Sequence, residues 1–270
     1  MAAQDREMSL MEHLEELRVR LVRCVIAFCV AFCVGWAFRR DILFILKKPL
    51  LEALPEDQKH TVLLQIMDKF FIDLKLAAIG GLFLSIPYIL YQIWSFVSPG
   101  LYPREKRIAA PVLIGSIFFF TLGVLFCYFV ALPFGFAFMV EYSVGTNDLL
   151  LASGLQGAEM STDMLQIALR DHIGFTAAFM LAFGLVFETP LVMLLLGVIG
   201  LVTPAWFAKQ RRYAIVVIFI VAAILTPPDP WSQITLGIPL TLLYEVGIWS
   251  TRLLLWTRRK PAAEAEPAKP

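Results

Sequence analysis

Long apolar blocks alternate with short charged stretches along this chain, and that alternation predicts its elements before any single residue is considered. Six blocks stand out, at 21–38, 74–97, 109–135, 173–199, 213–226 and 231 to about 250. About 20 consecutive apolar residues cross the roughly 30 Å hydrocarbon core of a bilayer as one helix, so the blocks read as membrane spans. The fifth is short: at 1.5 Å per residue it reaches only about 21 Å, which requires a thinned bilayer or flanking protein. Only Pro227, Pro228, Asp229 and Pro230 separate the fifth block from the sixth. Prolines at that density cannot continue a helix, and the pattern predicts a tight reversal between two short helices. Segments this long, without period-two alternation, exclude a β-barrel.

Residues 9–20 carry a different pattern. Ser9 and Glu12 form a capping box, Leu10, Leu14, Leu17 and Leu21 share one helical face, and Glu15, Glu16, Arg18, Arg20 and Arg23 fill the rest. The prediction is an amphipathic helix running straight into the first span. It is either an interfacial anchor with solvated charges or a surface on which Glu16 and Arg18 present specific charges. The first block follows this charged stretch and lacks a small-residue cleavage site, so it is expected to stay as a span. Pro87, Pro111, Pro133, Pro190 and Pro239 fall in spans or at their ends and predict a rigid, curved scaffold. The predicted organisation is one all-α, six-helix membrane domain over 1–256, followed by a disordered tail over 257–270, where Pro, Ala, Glu and Lys dominate the end. No internal repeat is visible.

Composition agrees. Of 270 residues, 59% are hydrophobic and 17% charged, against roughly 45–50% and about 25% in soluble domains. A net charge of +1 excludes a nucleic-acid binder on bulk electrostatics. Lys and Arg bias sets orientation. With the N-terminus inside, the cytoplasmic segments hold Arg6, Arg18, Arg20, Arg104, Lys106, Arg107, Lys209, Arg211, Arg212, Arg258, Arg259, Lys260 and Lys269. The outer ones hold fewer: Arg39, Arg40, Lys47, Lys48, Lys59, Lys69 and Arg170. Both termini are therefore expected to face the cytoplasm.

Candidate chemistry lies in the polar residues that membrane energetics does not place for free. Cys24, Cys29, Cys33 and Cys127 sit in apolar spans without metal-ligand spacing and read as small hydrophobes. His13, His60 and His172 are scattered and form no metal cluster. Glu188 lies within the fourth block, where an ionisable side chain costs about 2.5 kcal/mol or more and turns toward protein or water. Pro190 beside it frees the carbonyl of Val186 and bends the helix. Glu245 in the sixth block is a weaker candidate, and Thr226 and Gln233 on the hairpin are polar enough to attract another membrane helix. The basic loop 98–107 contains one acid, Glu105. If Glu16 and Glu105 converge, they can grip two guanidinium groups through charge-assisted hydrogen bonds. No Gly-rich Lys-Ser/Thr loop for ATP occurs.

The segments His13-Leu14-Glu15-Glu16-Leu17-Arg18, Tyr91-Gln92-Ile93-Trp94-Ser95-Phe96, Pro99-Gly100-Leu101-Tyr102 with Glu105-Lys106-Arg107, Phe187-Glu188-Thr189-Pro190, and Thr226-Pro227-Pro228-Asp229 with Ser232-Gln233 together resemble the TatC family, the multispanning core of the twin-arginine protein translocase. The resemblance runs in order from about residue 8 to 255. It implies six helices arranged as a cupped hand in the bacterial cytoplasmic (inner) membrane, both termini cytoplasmic. It implies a receptor for twin-arginine signal peptides of folded precursors, working in a multimeric complex with TatA- and TatB-type single-span partners, without a cofactor and without enzymatic activity. By position, Glu16 and Glu105 read the two arginines, with Arg18 and Phe96 in the same patch. Glu188 is the intramembrane acid, Thr226 and Gln233 receive a partner helix, and Pro49 and Asp229 match positions of the outer loops. The second outer loop, 141–171, is longer than is usual in the family. The alternatives are a proton-coupled secondary transporter using Glu188, which needs further intramembrane ionisable partners and repeat symmetry, and an intramembrane protease, for which no Ser–His or Asp–Asp pairing is present.

Overall fold

The structure is a computed structural model that describes residues 10–54, 61–62, 66–97, 106–141, 167–225 and 230–263. Ser9, Glu105, Thr226 and Asp229, and the extra length of the second outer loop over 142–166, lie outside the described residues.

The apolar blocks fall on helices. α1 is Leu10–Ala37, one unbroken helix from the amphipathic stretch into the first block. α2 is Arg39–Ala53, α3 is Asp68–Val97 and α4 is Lys106–Phe126, continued through a π-helical turn at Cys127–Ala131 into α5 at 132–141. α6 is Leu169–Phe187, α7 Thr189–Val198, α8 Pro204–Lys209, α9 Arg211–Leu225 and α10 Pro230–Ala263. The β-structure among the described residues is one parallel pairing of two-residue segments, Thr61–Val62 with Ile167–Ala168. Among the described residues, four helical stretches are long and apolar enough to cross a membrane: Asp68–Phe96, Pro111–Glu141, Leu169–Val198 and Gln233–Leu255. Met11–Ala37 with Arg39–Ala53, bent by 79°, makes a fifth if the pair is one span. The chain is a multi-pass, all-α membrane protein.

One expectation needs correction. α9, at 15 residues, is short as expected. α10 is not: it has 34 residues and continues past residue 256 to Ala263. Leu253, Leu254, Leu255, Trp256, Arg258 and Arg259 are helix-compatible, and no Gly or Pro intervenes before Pro261. Pro49, matched by resemblance to an outer-loop position, is buried inside α2, where Leu43, Leu46 and Leu50 recur at helical spacing.

The chain divides into two compact units, Met1–Leu43 with Lys69–Ile117, and Phe44–Asp68 with Phe118–Pro270. In the first, α1 and α3 approach to backbone contact. A Cβ added at Gly35 would fall 2.5 Å from the Ala77 carbonyl oxygen, and one at Gly81 2.7 Å from Phe32 Cα. Small residues let membrane helices meet this closely, and dispersion supplies the attraction that water supplies elsewhere. The Trp94 indole N–H donates to Ser116 Oγ at 2.7 Å and ties α3 to α4.

The second unit is built around stacked aromatics. Phe126 lies 5.9 Å from Phe183 and 5.6 Å from Phe187, and Phe179 meets Phe183 edge-on at 4.9 Å. α7 packs on α10, with Met193, Phe207 and Ile248 forming a buried cluster. Gly200, at φ +79°, closes the turn after α7, a left-handed conformation glycine adopts without a Cβ clash. Thr203 Oγ1 then caps α8 by accepting from the Trp206 N–H at 3.3 Å.

Proline explains three of the irregularities. Pro49 has no N–H for the Ile45 carbonyl, and the Tyr128 hydroxyl donates to that oxygen at 3.1 Å. Pro190 leaves the Val186 carbonyl without its helical donor, and the Thr189 hydroxyl takes its place at 2.6 Å. The π-helical turn falls directly ahead of Pro133, where the helical ladder is already broken and an inserted residue costs least.

Candidate functional site

α1 presents its polar stripe to protein and its leucines outward. His13, Glu16 and Arg20 lie at i, i+3 and i+7 and are half-buried. Leu14, Leu17 and Leu21 are exposed, as suits a helix whose outer neighbour is lipid. Glu15, Arg18 and Arg23 are also exposed. Two residues along a helix turn a side chain by about 200°, so Arg18 faces away from Glu16.

The half-buried stripe meets α3. Arg20 directs both Nε, at 2.9 Å, and Nη2, at 2.5 Å, onto a single oxygen, Glu16 Oε1. Its remaining corner, Nη1, donates to Gln92 Oε1 at 3.2 Å. Gln92 is only 3% exposed. Glu16 Oε2 is buried and has no hydrogen-bond partner among the described residues; His13 Nδ1 lies 3.9 Å from it, an ion-pair contact if the ring is protonated. The His13 ring stacks on Phe96 with centroids 4.3 Å apart and planes inclined by 17°. The result is a carboxylate with one oxygen clamped and the other buried without a donor among the described residues, beside a stacked ring pair. Leaving a buried charged acceptor without a donor costs about 1–3 kcal/mol or more, so the site favours a ligand that brings an N–H. A guanidinium supplies it, together with a planar face that stacks on aromatic rings.

Of the residues singled out from sequence, the structure brings Glu16 and Phe96 together through His13 and leaves Arg18 exposed on the opposite face. Arg20, Gln92 and His13 were missed as members of the cluster. The Glu16–Arg20 spacing of one helical turn was the available signal for the first; nothing local marks Gln92 as their partner.

Two further acids belong to the second unit. Glu188 is the hinge residue between α6 and α7, with φ −69° and ψ −13°. Its N–H donates to the Leu185 carbonyl at 3.2 Å, and its own carbonyl accepts from Leu191 and Val192 at 3.0 Å each. Glu245 faces Arg211, whose Nη2 donates to Oε2 at 2.8 Å. Arg211 Nε lies 2.7 Å from Oε1, an ion-pair contact rather than an aligned hydrogen bond. Here one nitrogen meets each oxygen. Beside this pair the Tyr244 hydroxyl donates to the Phe207 carbonyl at 2.9 Å. Gln233 Nε2 donates to the Phe219 carbonyl at 3.1 Å, tying α10 to α9. No group of three or more His, Cys, Asp or Glu suited to a metal ion occurs among the described residues.

Comparison with known proteins adds to this geometry. A family model described as Sec-independent protein translocase protein (TatC) matches residues 12–239. A relative with that description from Desulforapulum autotrophicum is 38% identical over 100% of this chain and 93% of its own. Another, from Aquifex aeolicus, is 39% identical over 94% of this chain and 98% of its own. A crystal structure of the twin arginine translocase receptor TatC superposes with a TM-score of 0.72 at 34% identity, covering 90% of this chain and 99% of that one.

Proposed function

The chain belongs to the TatC family and is a membrane-embedded protein translocase component, not an enzyme; from that premise we propose that it is the receptor subunit that binds the twin-arginine segment of precursor proteins through Glu16. The observation that carries the reading is Glu16 Oε2, buried and without a hydrogen-bond donor among the described residues, next to the stacked His13 and Phe96 rings. Glu105 is the second carboxylate, taking the other arginine, while Arg18 faces away from Glu16 and is not part of this contact. Two desolvated charge-assisted pairs supply about 3–6 kcal/mol gross, enough for discrimination, with the apolar part of the signal segment adding affinity. Lys in place of Arg weakens binding more than its charge implies, since an ammonium cannot make the forked contact.

In this reading the protein resides in the bacterial cytoplasmic membrane with six spans and both termini cytoplasmic, as the excess of Lys and Arg on that side favours. The apolar stretch of the signal lies along the membrane-embedded surface near Glu188. TatA- and TatB-type single-span partners dock on the hairpin at Thr226 and Gln233, the latter bonded through Nε2 to the Phe219 carbonyl. Pro49 and Asp229 shape the outer side. Energy comes from the membrane potential or proton gradient. Glu245 lies against Arg211, which removes the second ionisable group a proton-coupled transporter would need.

Crosslinking of a twin-arginine precursor to Glu16→Ala, Glu105→Ala and the double variant tests the assignment. Motif-dependent crosslinks should fall in each single variant and vanish in the double; full crosslinking in the double variant contradicts it.

A further inference from the structure

We infer that Arg20 and Gln92 are positioning residues for recognition: Gln92 anchors Arg20, and Arg20 holds the Glu16 carboxylate so that Oε2 alone is presented to an incoming guanidinium. The inference rests on the assignment of Glu16 as a ligand for substrate arginine and adds how that carboxylate is aimed.

The geometry separates this role from two simpler ones. A helix-surface ion pair of ordinary kind leaves both partners solvated, whereas the Glu16 side chain is 21% exposed and that of Arg20 16%. A saturating pair places one guanidinium nitrogen on each carboxylate oxygen, as Arg211 does with Glu245. Arg20 instead spends two nitrogens on Oε1 and its third on a side chain of another helix. Gln92 is buried, so the amide cannot follow a wandering arginine; it fixes the plane of the guanidinium, and that plane fixes the carboxylate. Oε2 is left turned toward the His13–Phe96 stack. A second guanidinium arriving there meets an acceptor already oriented, so less rotamer freedom is lost on binding. Lysine at position 20 keeps the charge but cannot reach Oε1 and Gln92 in one plane. The arrangement also bears on specificity: a carboxylate free to rotate takes an ammonium nearly as well as a guanidinium, while a fixed one beside a flat π surface favours the planar cation.

The test uses the full chain in detergent or proteoliposomes and a fluorescent synthetic peptide bearing two adjacent arginines ahead of an apolar stretch, with analogues in which each arginine in turn is lysine. Dissociation constants are measured for the wild type, Glu16→Gln, Arg20→Lys, Arg20→Gln and Gln92→Leu, with thermal unfolding alongside. Arg20→Lys and Arg20→Gln should each bind the double-arginine peptide about tenfold more weakly and lose most of the preference for arginine over lysine, with Gln92→Leu shifting both by roughly threefold. A purely structural role would lower the unfolding temperature without moving the arginine-to-lysine preference ratio, and that result overturns the inference. Tighter binding by Arg20→Gln also overturns it, since Arg20 would then be an internal competitor for Glu16. The Glu16→Gln arm keeps the two levels apart: if it leaves the preference intact, the assignment of Glu16 itself fails; if it abolishes the preference while the Arg20 variants retain it, only the positioning role fails.

Discussion

Two Glu–Arg pairs in this molecule, one within a helical turn and one between two helices, differ in what they leave undone. At Arg211 and Glu245 each carboxylate oxygen faces its own guanidinium nitrogen, at 2.7 and 2.8 Å. At Glu16 and Arg20 two nitrogens crowd onto one oxygen and the other is buried with no donor among the described residues. In the first pair both carboxylate oxygens have a guanidinium nitrogen within 2.8 Å, although the Nε contact is not an aligned hydrogen bond, and the pair ties the start of α9 to α10. In the second, one carboxylate oxygen has no donor among the described residues. A buried ion pair by itself says little about function; which lone pairs remain unmet says more.

Substitutions can break that contrast. Removing the charge at Glu16 with Gln should weaken binding of a double-arginine peptide at least tenfold, because a charge-assisted contact is replaced by a neutral one at the point of recognition. Its unfolding temperature should also fall, because the pair with Arg20 is the more buried of the two. Glu245→Gln should lower the unfolding temperature alone. Arg211 is 44% exposed and Glu245 35%, so solvent screens the pair and the loss is held to about 1 kcal/mol, a fall of roughly 2–4 °C by thermal unfolding, with peptide affinity unchanged. Loss of peptide binding in Glu245→Gln would erase the distinction between the two pairs. The smallest expected effect lies at Pro49. Tyr128→Phe removes the hydroxyl that serves the Ile45 carbonyl and should cost about 0.5–1 kcal/mol. In a Pro49→Ala background, where a backbone N–H is restored to that carbonyl, the same change should cost nearly nothing. Equal costs in both backgrounds would show that the hydroxyl does not compensate for proline.

Much of this was legible in the sequence, and what was not has identifiable causes. Apolar run length locates the helices because the bilayer fixes how many residues a span needs. It also marks α9 as short. It misjudges α10, since a hydropathy block ends where charge begins while a helix ends only where a breaker intervenes, and Arg258 and Arg259 are not breakers. Glu16 stands out as a charge on an amphipathic helix, yet periodicity cannot say which stripe faces protein. In water the leucines would face inward; beside a bilayer they face out, and the His13, Glu16 and Arg20 stripe packs on α3 instead. Gln92 is invisible to local reasoning because it meets Arg20 from a position 72 residues away in the chain. Pro190 pointed correctly to the Val186 carbonyl, and the adjacent Thr189 hydroxyl that satisfies it could have been read from Glu188-Thr189-Pro190. Pro49 carried the same signal, but its remedy, Tyr128, is remote in sequence.

The central claim is that Glu16 distinguishes arginine from other cations through the carboxylate oxygen that has no donor among the described residues. The most direct measurement is the ratio of dissociation constants for double-arginine and double-lysine peptides on the full-length wild type and on Glu16→Gln, at fixed salt. The account predicts a ratio of at least about ten for the wild type, falling toward one in Glu16→Gln. An equal ratio in the two proteins would contradict it.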